Sequence, residues 1–176
     1  MNFDFIETAL EVIAFRSFSN LWFWIALAVL WSTASYWMIG VPFDLVRRAA
    51  RGEEVARADM LTLAGIHSRR LIHISEVTGL WTTAFAFFSI TLLALLGFAY
   101  GIEFAQAVFL LFLPMTVVGW LNLRTARRVQ GMEAGEMADT LLRHRRVVQF
   151  VGMVSIFATT MWGMWTNLNV SVLGGG

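Results

Sequence analysis

Residues 77–98 read VTGLWTTAFAFFSITLLALLGF, an apolar run that contains no charged side chain. In an α-helix a run of this length extends about 33 Å, which is enough to cross a hydrocarbon core of roughly 30 Å. A strand of a membrane β-barrel would alternate polar and apolar residues, whereas residues 90–98 are apolar at every position except Thr91. Because backbone polar groups in lipid must be paired within the protein, the run predicts a transmembrane α-helix.

Three more uncharged runs flank this one, so the chain is predicted to be an all-α integral membrane protein. Of its 176 residues, 58% are hydrophobic and 14% are charged, and the mean hydropathy is +0.67. Soluble domains usually carry about 25% charged residues. We expect a single membrane domain, residues 1–176, with four transmembrane helices near residues 21–41, 77–98, 105–123 and 147–167.

The distribution of the basic residues predicts the orientation in the membrane. All 13 are Arg, and only Arg16 lies outside two clusters. The clusters fall between the first and second spans and between the third and fourth: Arg47, Arg48, Arg51, Arg57, Arg69, Arg70; and Arg124, Arg127, Arg128, Arg143, Arg145, Arg146. Cytoplasmic loops are enriched in Arg and Lys, so both termini are predicted to be periplasmic. Exclusive use of Arg is typical of GC-rich bacterial genomes, and we expect a multi-pass protein of a bacterial inner membrane.

The segment before the first span, residues 1–16, has the pattern of an amphipathic helix. Apolar residues recur at helical spacing and acidic residues cluster on the opposite face: Phe3, Ile6, Leu10, Ile13; and Asp4, Glu7, Glu11. This pattern predicts a short helix lying in the outer membrane–water interface.

The two Arg-rich loops repeat each other in order and chemistry. Each has an Arg pair, a Gly, an Ala-Asp pair and a His before a second Arg pair: Arg47-Arg48, Gly52, Ala58-Asp59, His67; and Arg127-Arg128, Gly131, Ala138-Asp139, His144. We interpret the repeat as two tandem helical hairpins, residues 17–102 and 103–176, related by a pseudo-twofold axis along the membrane normal. Chance similarity between two Arg-rich loops is the alternative. The two Gly residues are expected to end the preceding helices, and the helices to extend beyond the bilayer as a cytoplasmic crown.

The strongest binding candidates are the Arg pairs that precede two of the spans, Arg69-Arg70 and Arg145-Arg146. Guanidinium offers a planar fork of donors, which suits the phosphate of an anionic lipid headgroup. Two other roles remain open for them, determination of topology alone and salt bridges to nearby carboxylates. Those carboxylates also neutralise the basic loops, so no nucleic-acid partner is expected.

Three histidines are weaker ligand candidates. His67 and His144 occupy corresponding positions of the repeat, and two facing imidazoles could hold haem or a metal ion. No thiolate or acidic ligand lies at a matching spacing and each His is followed by an Arg pair, so we expect neither a metal nor a cofactor. His73 lies close to the second span and is expected to be hydrogen-bonded.

The predicted spans contain no charged side chain, which argues against a pump or an ion-coupled carrier. The chain has no Cys and no nucleophile, metalloprotease or phosphate-loop motif, which argues against an enzyme. Its 15 Phe, 8 Trp and 9 Met exceed what a four-helix bundle can bury. We expect a non-catalytic membrane subunit or scaffold that packs with other membrane proteins or with itself. The alternatives are a small channel or carrier on the pseudo-twofold axis, and an enzyme acting on a lipid phosphate through His67, His144 and the neighbouring Arg residues.

Overall fold

A computed structural model describes Phe18 and residues 20–173 of the chain, with side chains to residue 168. This part is almost entirely helical, which confirms the predicted class. Its elements are α1 (Leu21–Tyr36), β1 (Trp37–Met38), β2 (Val41–Pro42), α2 (Phe43–Ala50), α3 (Glu54–Ala94, continued by a π-helical turn, Leu95–Ala99), α4 (Glu103–Arg128) and α5 (Ala134–Leu173). The predicted interfacial helix, residues 1–16, lies outside the described residues.

Three of the helices, α3, α4 and α5, are long and apolar enough to cross a membrane. They contain the predicted spans at residues 77–98, 105–123 and 147–167. Helices α3 and α5 have 41 and 40 residues. At 1.5 Å per residue each is about 60 Å long, twice the thickness of a hydrocarbon core. About half of each helix therefore projects from the apolar layer.

The prediction of a continuous first span at residues 21–41 is wrong beyond residue 36. Helix α1 ends at Tyr36, and its 16 residues extend about 24 Å. A two-residue turn then joins β1 to β2, with positive φ values of 51° at Ile39 and 75° at Gly40. Pro42 lacks an N–H and disfavours helical geometry at the residue before it. These residues stop the helix although none of them is charged.

The apolar helices form an open arrangement, here called the open row, and not a closed bundle. Helix α1 packs on α5, α5 on α4 and α4 on α3, while no extended contact joins α1 to α3 in the described chain. Helix α3 also meets α5 in the core at the Arg-rich turns, and α1, α4 and α5 share a smaller core around Trp31, Val118 and Val148. Helix α1 runs antiparallel to α5, since Phe18 lies over Gly163 and Trp31 over Gly152. The absence of a side chain at Gly152 admits the buried indole of Trp31, which explains a Trp placed in the middle of an apolar run. Helices α1 and α3 are the two edges of the row.

The main buried core lies where α3 and α5 project from the apolar layer. It combines the β1–β2 turn, here called the strand turn, with α2, the first turns of α3, the last turn of α4 and the first turns of α5. Its fully buried side chains include Val41, Val46, Met60, Val129 and Leu141. The two Arg-rich turns therefore share one core at the same end of the molecule. The helices thus extend into a packed region beyond the apolar layer, and this region, built around the core just described, is called the crown below.

The repeat is visible in the two turns but not in the helices that lead into them. Gly52 and Gly131 both follow a helix end and have φ values of 93° and 74°, as predicted for helix termination. The first turn is preceded by the interrupted segment α1–β1–β2–α2, whereas α4 is continuous. Ala58 is exposed and its counterpart Ala138 is buried. A tandem duplication stays a prediction.

Candidate functional site

Arg145, a predicted lipid ligand, is used within the protein. Its Nε donates a hydrogen bond of 3.0 Å to the carbonyl of Ser35 in the last turn of α1. Its guanidinium carbon lies 3.6 Å from the centre of the Phe43 ring, a cation–π contact. A cation near the carbonyl end of a helix is favourable, so Arg145 holds the junction of α1 and α2 against α5.

Arg69, Arg70 and Arg146 are exposed, and none of them forms an ion pair with a described residue. The ion pairs of the crown belong to other arginines: Arg48 pairs with Glu53, and Arg57 with Glu54 at 3.4 Å. Hydrogen bonding from Arg48 lowers the pKa of Glu53. Salt bridging, the alternative considered for the Arg pairs, thus occurs at Arg48 and Arg57.

His144 is buried between α4 and α5 and has both ring nitrogens occupied. Nε2 lies 2.8 Å from Oδ1 of Asn122, and Nδ1 lies 3.0 Å from Oγ1 of Thr125. Because Asn Oδ1 only accepts, Nε2–H must donate to it, and in a neutral ring Nδ1 then accepts from the Thr hydroxyl. Both interactions are satisfied by one tautomer, and His144 links α5 to α4.

The other two histidines have different surroundings. The half-buried ring of His67 lies against Gly40 of the strand turn, so close that a Cβ at Gly40 would be 2.5 Å from its Cγ. His73 is exposed. In the part of the chain described, no group of three His, Asp or Glu residues could hold a metal ion. The structure therefore gives His67 and His144 separate packing roles.

A cleft between α4 and α5, here called the basic cleft, brings together arginines that the sequence analysis did not single out. Its volume is about 210 Å³, and its lining residues are Leu121, Arg124, Thr125, Arg128, Thr140, Arg143, His144 and Val147. Three arginines line it, and none of its lining residues carries a carboxylate. The guanidinium carbon of Arg124 also lies 5.4 Å from the centre of the Trp120 ring. The basic cleft is suited to an anion.

A second groove, here called the apolar groove, follows the same two helices away from the crown. Its volume is about 310 Å³, and it is lined by Leu110, Leu113, Pro114, Val117, Phe150, Val151, Val154, Ser155 and Ala158. Pro114 has no N–H to donate to the carbonyl of Leu110. The hydroxyl of Ser155 donates to that carbonyl across the helix pair, at a long distance of 3.5 Å. The apolar groove is suited to a hydrocarbon chain.

The middle of α3, residues 76–85, is exposed at every position except Gly79, which is half-buried. This segment is here called the α3 edge. Trp81 is 78% exposed and Phe85 66%. A Cβ added to Gly79 would have no atom of this chain within 4 Å, so the space beside it is open.

A helical spacing in the sequence could have revealed the basic cleft. Arg124 and Arg128 are four residues apart and share a face with Leu121, while Arg143 is four residues from Val147. The adjacent Arg pairs are a more conspicuous pattern, but adjacent residues on a helix point in different directions. Of the predicted residues, only His144 lines the basic cleft.

Compared with protein-family models, with curated proteins and with solved structures, the chain matches none of them. No relative therefore contributes information on function.

Proposed function

We propose that the protein is a non-catalytic membrane subunit whose α3 edge is covered by a transmembrane helix, supplied either by a second copy or by another protein. The observation that carries the proposal is the exposure of residues 76–85 around the whole helix. The open row supports it, because α3 makes its most extensive helix contact with α4 and its apolar part is otherwise almost entirely exposed.

The side chains of this segment favour a helix over lipid as the cover. Gly79, Thr82, Thr83 and Ala86 are three, four and seven residues apart and so lie on one face, here called the small face. Val77, Trp81, Phe85 and Phe88 lie on the opposite face, here called the bulky face. Small residues let two helix backbones approach closely in a membrane, and hydroxyls hydrogen-bond across such contacts. The small face is open at Gly79, where such an approach would occur.

We further propose that α1 is a fourth span and that both Arg-rich turns are cytoplasmic, with both termini periplasmic in a bacterial inner membrane. Phe18 lies over Gly163, and Ser35 accepts a hydrogen bond from Arg145. Between those two positions α5 rises about 27 Å, close to the thickness of a hydrocarbon core. Helix α1 thus accompanies the apolar part of α5 from end to end, and modest thinning or tilt would accommodate its length.

The two alternative functions, a small channel or carrier and an enzyme acting on a lipid phosphate, receive less support. The apolar groove has one polar side chain, Ser155, and offers no polar path for a channel. His144 and Arg145 are engaged in hydrogen bonds with Asn122, Thr125 and Ser35, which leaves them poorly placed for chemistry on a lipid phosphate.

Single-cysteine cross-linking tests the assembly directly, because the chain has no Cys of its own. Thr82→Cys and Thr83→Cys carry a benzophenone label on the small face, and Trp81→Cys and Phe85→Cys carry it on the bulky face. In native membranes we expect protein adducts from the small face and several-fold fewer from the bulky face. A product of twice the chain mass with only this chain's peptides identifies a second copy.

Gly79→Leu provides an independent test of the same face. A Cβ at position 79 has no atom of this chain within 4 Å, so the longer side chain has an open starting position and the isolated protein should unfold as the wild type does. The added side chain should prevent close helix approach and abolish the small-face adducts of a Gly79→Leu/Thr83→Cys chain. Equal labelling of both faces, or adducts with lipid alone, would show that α3 faces the bilayer and would refute the proposal.

A further inference from the structure

We infer that the seam between α4 and α5 is a binding site for one anionic phospholipid, with the phosphate in the basic cleft and an acyl chain in the apolar groove. The site is separate from the α3 edge and does not depend on the assembly proposed above.

The charge of the basic cleft selects an anion. Arg124 and Arg128 approach from α4 and Arg143 from α5, with the hydroxyl-bearing residues Thr125 and Thr140 beside them. The ion pairs of the described crown involve Arg48 and Arg57, so these three guanidinium groups are not neutralised by a carboxylate of the described chain. Guanidinium groups in such a cleft bind phosphate through paired hydrogen bonds.

The position of the apolar groove makes the anion a lipid and not free phosphate. On α4, Leu121 lines the cleft and Val117, one helical turn away, lines the groove. On α5, Val147 lines the cleft and Val151 the groove in the same way. The cleft and the groove therefore follow one another along the same faces of the same two helices.

The length of the seam corresponds to one leaflet. From Leu121 at the cleft to Leu110 at the far end of the groove, α4 rises about 16 Å. Half of a hydrocarbon core is roughly 15 Å. A lipid whose phosphate lies among the arginines would place an acyl chain along the groove to the middle of the membrane.

Native mass spectrometry of the purified full chain tests the site, with phosphatidylglycerol as the probe and phosphatidylcholine as the neutral control. We expect the wild type to retain one phosphatidylglycerol and to release phosphatidylcholine. The variant R124Q/R128Q/R143Q should bind phosphatidylglycerol at least about tenfold more weakly, because it removes all three guanidinium groups that line the basic cleft. The three single variants are measured as well, so the test survives a triple variant that does not fold.

Two further variants separate a built site from general electrostatics. The variant R47Q/R51Q/R127Q removes the same charge from exposed arginines that do not line the basic cleft and should keep the bound lipid. Val154→Trp fills the apolar groove and should weaken phosphatidylglycerol binding while all arginines remain. Equal losses in both triple variants would overturn the site. Unchanged binding in Val154→Trp, or displacement of the lipid by inorganic phosphate alone, would overturn the acyl-chain half and with it the proposal.

Discussion

Gly40→Ala should lower the free energy of unfolding by about 2–4 kcal/mol, measured in detergent by titration with a denaturing surfactant. Two effects add. The φ of 75° at Gly40 is unfavourable for a residue with a Cβ, by roughly 1–2 kcal/mol. The new methyl would also lie 2.5 Å from Cγ of His67, and because Cγ is bonded directly to the His67 Cβ, the whole ring would have to shift to relieve the contact. The strand turn would have to move away from α3.

Gly101→Ala is the matched control for the backbone part of this loss. Gly101 has a similar φ of 70°, but a Cβ there meets no atom within 4 Å, so only the cost of roughly 1–2 kcal/mol is expected. In a His67→Ala background, Gly40→Ala should fall to the same level because the contact is gone. If Gly40→Ala costs no more than Gly101→Ala, or costs the same with and without the His67 ring, the packing of the strand turn on α3 is wrong.

His144→Leu should destabilise the protein by about 2–4 kcal/mol in the same assay. The substitution keeps an apolar body between α4 and α5 but leaves Oδ1 of Asn122 and the hydroxyl of Thr125 without their partner. An unpaired buried polar group costs roughly 1–3 kcal/mol, and because Asn122 and Thr125 are half-buried we expect the lower part of that range for each of them. His73→Leu is the control, because His73 is exposed and its replacement should change stability by less than about 0.5 kcal/mol.

The hydrogen bond between His144 and Asn122 can be tested further by replacing both of its partners. Asn122→Leu/His144→Leu should recover part of the loss, since apolar replacement of both partners leaves fewer groups unpaired, and the Thr125 hydroxyl can bond its own helix backbone. We expect the double variant to lose less free energy of unfolding than the two single variants lose in sum. Strict additivity would mean that His144 does not bond Asn122.

The sequence predicts the long helices well because the reasons are local. Residues 77–98 lack charged residues and Pro, and Gly52 and Gly131 follow Arg-rich helix ends, so each boundary depends on neighbouring residues. The end predicted for the first span is wrong for a comparable reason. Gly40 and Pro42 are ordinary turn signals, but they lie inside an uncharged run, so the absence of charge does not mark the end of the helix. Ile39 could not be foreseen, because a β-branched residue at φ 51° persists only where burial stabilises it.

The candidate site was harder to predict, because it depends on which helices meet. The sequence shows Arg145 and Arg146 side by side, yet only the packing of α1 on α5 directs Arg145 to Ser35 and leaves Arg146 exposed. The same packing of α4 on α5 assembles Arg124, Arg128 and Arg143 from two segments. That the helices form an open row is a property of tertiary contacts, and hydrophobic periodicity carries no information about it.

The most direct test of the proposed assembly is the oxygen accessibility of nitroxide labels placed one at a time at residues 76–88, in protein extracted together with its surrounding membrane. A helix covered on its small face should give a periodic profile, with low accessibility at residues 79, 82, 83 and 86 and high accessibility at residues 77, 81, 85 and 88. Residues 82 and 83 decide the question, because both are exposed in this chain alone. Accessibility at these two positions as high as at residues 77, 81, 85 and 88 would mean that lipid surrounds α3, and would contradict the account.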